Sequence, residues 1–151
     1  MVKPVKQFSV FLINKPGILS KVCDELADKK VNVSALTLMD SVEHGVFRLV
    51  AEDEKQARAV LSRLNIPTTE TDVLCVEMPN RPGAMADICS KLNAQHLSIK
   101  YAYVTSGAPG GRTIGIFKVD NIKKALKVLS DRKPGRKEKL VVKMNRAGKG
   151  R

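Results

Sequence analysis

The sequence predicts an α+β protein of two β-α-β-β-α-β units, each an antiparallel sheet with helices on one face. The first observation is a repeat, because Asn14-Lys15-Pro16-Gly17 returns 66 residues later as Asn80-Arg81-Pro82-Gly83. The second is that each copy ends an apolar, β-branched run and begins an amphipathic helical pattern. The third is that the same order of elements follows both copies, which is typical of a duplicated unit.

Hydrophobic periodicity defines the elements of the first unit. The run from Val5 to Ile13 has apolar residues on both faces and predicts a strand covered on both sides. A helix is predicted from Ile18, where apolar residues recur at helical spacing. A hairpin of strands 31–39 and 46–51 comes next, and the acidic residues 52–54 begin a second helix.

The second unit repeats this order. The extended segment Thr68–Met78 ends the first unit and begins the second without a flexible linker. A helix after Gly83, strands 97–104 and 112–119 and a helix from Ile122 then complete the split βαβ, ferredoxin-like order. The predicted domains are 1–70 and 71–131, followed by a basic C-terminal segment, 132–151, whose residues 139–144 are a candidate last strand of the second domain.

Charge is concentrated at the C-terminus. The net charge is +12, and residues 132–151 hold nine Lys/Arg and one acid, Glu138. The chain begins with charged residues, and its next apolar run, 10–13, is far too short to span a membrane. The sequence therefore predicts a soluble cytoplasmic protein with no membrane partner.

Motifs for catalysis or for cofactor binding are missing from the sequence. The three cysteines have no CxxC spacing, and Cys23 and Cys89 lie on apolar helix faces, which favours a structural role. His44 and His96 stand alone, so zinc is not predicted. The glycine-rich run 106–112 lacks the Gly-Lys-Ser/Thr ending of a phosphate-binding loop. We therefore predict no enzyme activity, no cofactor and no metal.

The two turn motifs, together with the strands that follow their helices, resemble ACT domains, small βαββαβ modules that bind amino acids in regulated metabolic proteins. The resemblance rests on Asn14 to Leu19 with Val31-Asn32-Val33, and on Asn80 to Met85 with the run from Leu97 to Tyr103. The resemblance covers both units, and the chain as a whole is similar to small stand-alone tandem ACT proteins. It implies a regulatory protein that signals to a partner protein when an amino acid binds.

The resemblance also implies the site. In serine-binding members, one Asn in the strand–helix turn and another that opens the second strand share a ligand across a subunit interface. By position these are Asn14 with Asn32 and Asn80 with Ser98, where Ser98 departs from Asn and Lys100 stands where an acid is common. The candidate ligand-binding residues are Asn14, Lys15, Pro16, Gly17, Ile18, Leu19, Asn32, Asn80, Arg81, Pro82, Gly83, Ala84, Met85 and Ser98.

The chemistry of these turns agrees with amino-acid binding. Amide groups at a helix N-terminus suit the carboxylate of a free amino acid, and Asn side chains can donate or accept. The simpler interpretation is that Asn caps the helix and Pro-Gly makes a tight turn. If one copy alone binds, the first carries the fuller set of residues.

Other functions remain as alternatives. The basic C-terminal segment is compatible with a nucleic-acid-associated regulator. Tyr101 and Tyr103 share a strand face, as in RNA-recognition motifs, but aromatic residues are only 4% of the chain, and packing explains the pair better. A third option is an interaction module with vestigial sites. Because the sheets have two apolar faces, we also predict a homodimer that covers them.

Overall fold

Six strands form one antiparallel sheet, and four helices cover one of its faces. The computed structural model describes residues 1–13, 15–39, 44–108 and 111–131, with the backbone alone at 106–108. The elements in chain order are β1 (Val2–Ile13), α1 (Ile18–Asp28), β2 (Val33–Met39), β3 (His44–Ala51), α2 (Glu54–Arg63), β4 (Thr68–Pro79), α3 (Ala84–Asn93), β5 (Ile99–Ala108), β6 (Arg112–Val119) and α4 (Ile122–Ser130).

Two long strands at the centre of the sheet join the repeated units. The strand order is β2-β3-β1-β4-β6-β5, and β1 pairs with β4 from Val2 opposite Val76 to Val10 opposite Thr68. The first half of each central strand therefore acts as the fourth strand of the other unit. Lys6 lies opposite its repeat equivalent, Asp72, and their side chains form an ion pair of 2.7 Å. This pair marks an approximate two-fold axis between the units.

Each pair of helices packs on its own half of the sheet. The apolar stripes of α1 and α2 contact one core around Phe8, Val10 and Leu49, and those of α3 and α4 contact another around Leu74 and Phe117. The helices begin in two ways. Asp53 and Asn121 cap α2 and α4 through side-chain oxygens, whereas α1 and α3 begin after left-handed glycines that have no side chain to cap with.

On the face of the sheet without helices, residues of the two units pack against each other. Ala35 and Val50 of the first unit pack in one cluster with Val73, Cys75 and Ile116 of the second. Strands β2 and β5 lie at opposite edges of the sheet, yet some of their Cα atoms come within 8 Å of each other. The sheet is therefore strongly curved, and the centre of its second face is buried within one chain. The duplicated unit thus covers this part of the face within one chain, and the predicted homodimer stays a prediction.

The predicted fold is confirmed: two βαββαβ units form an antiparallel sheet with the helices on one face. The structure begins β1 at Val2, three residues earlier than predicted, because this stretch pairs with β4. Cys23, expected to be buried, is exposed. Residues 132–151, including the candidate strand 139–144, lie outside the described residues. In the described sheet, Val2–Val5 lie beside Val73–Val76, where a fourth strand of the second unit would pair.

Candidate functional site

Both predicted turns have the same backbone geometry. The amide of Lys15 donates to the carbonyl of Ile13 at 2.7 Å, and the amide of Arg81 donates to Pro79 at 3.0 Å. A glycine then follows at φ 85° in each copy, Gly17 and Gly83, and the helix begins at the next residue. A left-handed conformation favours glycine, and the first helical amides have no acceptor within the helix. Each turn thus presents backbone donors where a carboxylate can approach.

A cleft of about 340 Å³ opens beside the first turn. Strands β1 and β3 form its floor, α1 forms one wall and β2 forms the other. Apart from Gly45, the side chains that line it are apolar except for that of Lys15, which is an exposed residue. Asn14 lies outside the described residues. The lining residues are Leu12, Ile13, Lys15, Ile18, Leu19, Leu38, Met39 and Gly45.

Sequence reasoning found only part of this cleft. Lys15, Ile18 and Leu19 were predicted site residues, and they line it; Pro16 and Gly17 lie in the exposed turn itself. The contributions of Leu38 and Gly45 were missed. A glycine inside a strand often marks close approach of a ligand or backbone, but the sequence pattern places Gly45 between the predicted strands 31–39 and 46–51, where this signal does not apply.

Asn32 lies far from the first turn of its own chain. It precedes β2, whereas the other end of β2 lies level with the turn, because Met39 pairs with Val46 and Val46 pairs with Phe11. At about 3.3 Å per residue, the length of β2 separates the two by about 20 Å. The Asn32 amide donates to the Glu52 carboxylate at 2.7 Å. One chain therefore does not bring Asn32 to the turn.

Charged side chains dominate the second turn. The Arg81 guanidinium pairs with Asp87 at 2.5 Å and also donates to the carbonyl of Pro82 at 3.0 Å. A cleft of about 410 Å³ lies between this turn, α3 and the end of α4, with Arg81 and the buried Ala84 in its lining. Gly83 and the exposed Met85 lie outside that lining. The second turn thus has its own cleft, but one with an ionic rim.

Asn80 and Ser98 also lie apart from each other within one chain. Exposed Asn80 lines a further cleft of about 470 Å³ with Arg112, whose guanidinium pairs with Glu77 at 3.0 Å. Ser98 precedes β5, and its carbonyl accepts from the amide of Asp120 at the far end of β6. The second unit therefore repeats the separation seen in the first.

A buried polar cluster crosses the curved face between the units. Gln7 is 0% exposed, and its amide donates to the Tyr101 hydroxyl at 2.8 Å and to Ser9 Oγ at 3.2 Å. The Tyr103 hydroxyl donates back to Gln7 Oε1 at 3.0 Å, and burial raises the pKa of Tyr103. The Arg48 guanidinium lies 4.0 Å from the centre of the Tyr101 ring. The hydroxyl groups of both tyrosines bond to the buried Gln7 on the concave side of the curved sheet, so the two rings do not form an exposed stacking surface.

The comparisons with known proteins agree with the duplicated fold and its two turns. A family model described as an ACT domain pair matches residues 3–142. The chain belongs to the ACT domain pair family. Protein BT0572 from Bacteroides thetaiotaomicron is 32% identical to this ACT domain pair, with a TM-score of 0.77, over 85% of this chain and 88% of that one. No curated protein sequence matches significantly.

More distant structures share the fold alone. The regulatory subunit of aspartate kinase from Thermus thermophilus, in its ligand-free form, is 15% identical, with a TM-score of 0.59 over 85% of this chain and 93% of that one. Aspartokinase III of E. coli, in complex with lysine and aspartate, is 14% identical, with a TM-score of 0.51 over 85% of this chain and 30% of that one. Both structures thus extend the fold likeness of the ACT domain pair to aspartate kinases.

Two kinds of feature are absent from the described residues. None of their helices is long and apolar enough to cross a membrane. Among the same residues, no three His, Cys, Asp or Glu side chains are grouped so that they could hold a metal ion.

Proposed function

We propose that this ACT domain pair is a cytoplasmic regulatory protein that binds a free amino acid beside its strand–helix turns and signals to a partner protein. The observation that carries the proposal is the cleft beside the first turn, where Lys15 lies at the mouth and apolar side chains line the interior. The likeness to the regulatory subunit of aspartate kinase favours a regulatory role over a catalytic one.

The cleft fits the two ends of an amino acid. A carboxylate would lie near Lys15 and near the first turn of α1, whose N-cap residue Gly17 has no side chain and where amide donors and the helix dipole favour negative charge. Its volume of about 340 Å³ is at the small end of the range for ligand sites and suits a single small molecule. Asn14 is proposed to take the ammonium group through its side-chain oxygen.

Pairing of two copies through β2 would bring Asn32 to this cleft. The outer edge of β2 is unpaired in the described sheet, and the strand exposes Leu36 at 54% and Leu38 at 51%. In an antiparallel pair of β2 strands, the start of one strand lies beside the end of the other. The partner's Asn32 would then lie beside the first turn of this chain. We propose that the homodimer forms in this way and that the ligand lies between the copies.

Signalling follows from a ligand that contacts both copies. Such a ligand binds the paired state better than the separated one, so it shifts the population toward the dimer. A partner protein that recognises one of these states would respond to the amino acid. The second turn, with Asn80 and Ser98, would act in the same way through β5 if it also binds.

A thermal-shift screen with the twenty amino acids at millimolar concentration tests the proposal. A ligand at 100 times its Kd stabilises the native state by about 2.7 kcal/mol, which raises Tm by about 5–10 °C for a chain of this length. We expect a shift with at least one amino acid, and we expect Asn14→Ala to reduce it. Asn80→Ala is the matched control at the repeat-equivalent turn.

Two outcomes would count against the proposal. No shift with any amino acid would contradict amino-acid binding. A shift that survives in the Asn14→Ala/Asn80→Ala double variant would show that the residues were chosen wrongly. For the dimer, Leu36→Lys places a charge on the β2 edge and should yield monomers in analytical ultracentrifugation. A variant that stays dimeric would exclude pairing through β2.

A further inference from the structure

The clefts beside the two turns are not equivalent, although the turns are. In the first unit, Leu12 pairs with Gly45, and in the second unit Met78 pairs with Thr113. Gly45 and Thr113 are therefore equivalent positions on the floor of the sheet, next to the turn. Thr113 is only 8% exposed, so its side chain fills space that Gly45 leaves open.

The backbone conformation at Gly45 does not require glycine, so what its missing side chain provides is open space. A Cβ atom built on it would lie 3.9 Å from Leu12 Cβ and 3.9 Å from Leu38 Cδ1, both ordinary contact distances. Both neighbours line the first cleft. A larger side chain at position 45 therefore fits the sheet but projects into the cleft.

The second unit opens its cleft in a different direction. The equivalents of Leu38 and Met39 are Val104 and Thr105, and neither lines the two clefts found at the second turn. The cleft of about 410 Å³ extends along α3 toward Leu129 and carries Arg81, Asp87 and Lys91 in its lining. In their described lining, the two clefts at the second turn therefore do not include the edge strand β5, whereas the first cleft lies against the edge strand β2.

We infer that the first cleft takes an amino acid with an apolar side chain, and that Gly45 determines this specificity by leaving the floor open. The inference rests on the proposed function, because it assigns the side chain of the proposed ligand. That side chain would contact Leu38, Ile18 and Leu19, while the ligand carboxylate stays near Lys15 at the mouth. A charged ligand side chain would lose its hydration there. Because Lys15 already pairs with the ligand carboxylate, that side chain would find no opposite charge among the described lining residues.

The exposure of the cleft walls supports this ligand class. Leu38 is 51% exposed and Met39 is 46% exposed, and both belong to the few large apolar side chains left so accessible in the described chain. Clustered exposed apolar side chains commonly mark binding sites. An apolar ligand side chain gains free energy by covering them, whereas a polar one loses its hydration in doing so.

Isothermal titration calorimetry on the full chain tests the inference. Leucine, methionine and phenylalanine are compared with serine, aspartate and lysine. We expect one of the apolar amino acids to bind at least about tenfold tighter than any polar one, as differences of one or two methylenes in an apolar pocket allow. Gly45→Thr, which copies the residue of the second unit, should weaken that binding at least about tenfold.

A matched pair of variants separates the two clefts. Leu38 and Val104 are repeat equivalents on edge strands, with nearly equal exposures of 51% and 50%. Leu38→Thr should weaken binding of the apolar ligand about tenfold, whereas Val104→Thr should leave its Kd unchanged. Because both positions are exposed, the two variants should keep the melting temperature of the wild type, which excludes unfolding as the cause.

The outcomes distinguish this inference from the proposed function. If a charged or small polar amino acid binds best and Gly45→Thr does not affect it, amino-acid binding stands and the inference is overturned. Equal effects of Leu38→Thr and Val104→Thr would also overturn it. If none of the six binds and the amino acid that shifts the melting temperature has a polar or charged side chain, the ligand class is wrong. If none of the twenty binds, both proposals fall.

Discussion

Replacing Gln7 by Leu should destabilise the protein strongly, although the two side chains are similar in size. Gln7 is fully buried and makes three side-chain hydrogen bonds, to Ser9, Tyr101 and Tyr103. Two of these partners belong to β5, which lies on the other side of the curved sheet. The replacement therefore removes polar contacts that join the two units.

The size of the effect follows from the number of bonds. Each buried hydrogen bond contributes about 1 kcal/mol net, so the loss of three lowers the free energy of unfolding by about 3 kcal/mol. A loss of this size lowers Tm by about 6–12 °C for a domain of this length. Urea unfolding followed by circular dichroism measures it, and the m value should not change because the folded state buries the same surface.

A second background provides the control. In a Tyr101→Phe/Tyr103→Phe variant, two of the Gln7 partners are already apolar, so Gln7→Leu should cost much less there. A loss below about 1 kcal/mol in the wild-type background would refute the argument. Strict additivity of the three substitutions would refute it equally, because it would show that Gln7 and the tyrosines do not act as one network.

Two further predictions concern the backbone conformation of a glycine and the titration of a tyrosine. Gly83→Ala should lower the free energy of unfolding by about 1–2 kcal/mol, because Gly83 has φ 85°. Gly45→Ala is the control: Gly45 has an ordinary strand conformation, so the free energy of unfolding should stay the same or rise. Equal losses in the two variants, measured by urea unfolding, would contradict this reasoning. Since burial raises the pKa of Tyr103 in the folded state above its ordinary value of 10.0, the unfolded chain loses this proton first and stability should fall as pH rises above 10.0. Tyr103→Phe should make that fall less steep in unfolding curves at about pH 9 and about pH 11, and an unchanged slope would show that Tyr103 is not the group.

The local elements could be predicted because their signals are local. Alternation and helical spacing located the strands and helices, and the Pro-Gly pairs located both left-handed glycines, Gly17 and Gly83. The start of β1 was harder, because Lys3 and Pro4 do not have the pattern of a strand. Pro4 lies where β1 has β4 on one side and no partner from β3, whose pairing begins at Phe8. A missing amide donor is tolerated at such a position.

The candidate site was predicted in part, for the same reason. Lys15, Ile18 and Leu19 follow the turn directly in the chain, so a motif could identify them. Leu38 and Gly45 come from the hairpin and reach the cleft only through the register of β1, β2 and β3. The separation of Asn32 from the turn likewise depends on strand direction, which the motif does not encode.

The sequence by itself determined the duplication, the order of the elements and the two glycine turns, because these depend on residues close together in the chain. Only the tertiary structure decided that β1 and β4 exchange their first halves between the units and that the curved sheet closes over Gln7 and the tyrosines. It also decided that one turn adjoins a cleft against the edge strand β2 and the other a cleft with Arg81, Asp87 and Lys91 in its lining. These outcomes depend on which distant residues pair, and that choice is made by the packing of the whole chain.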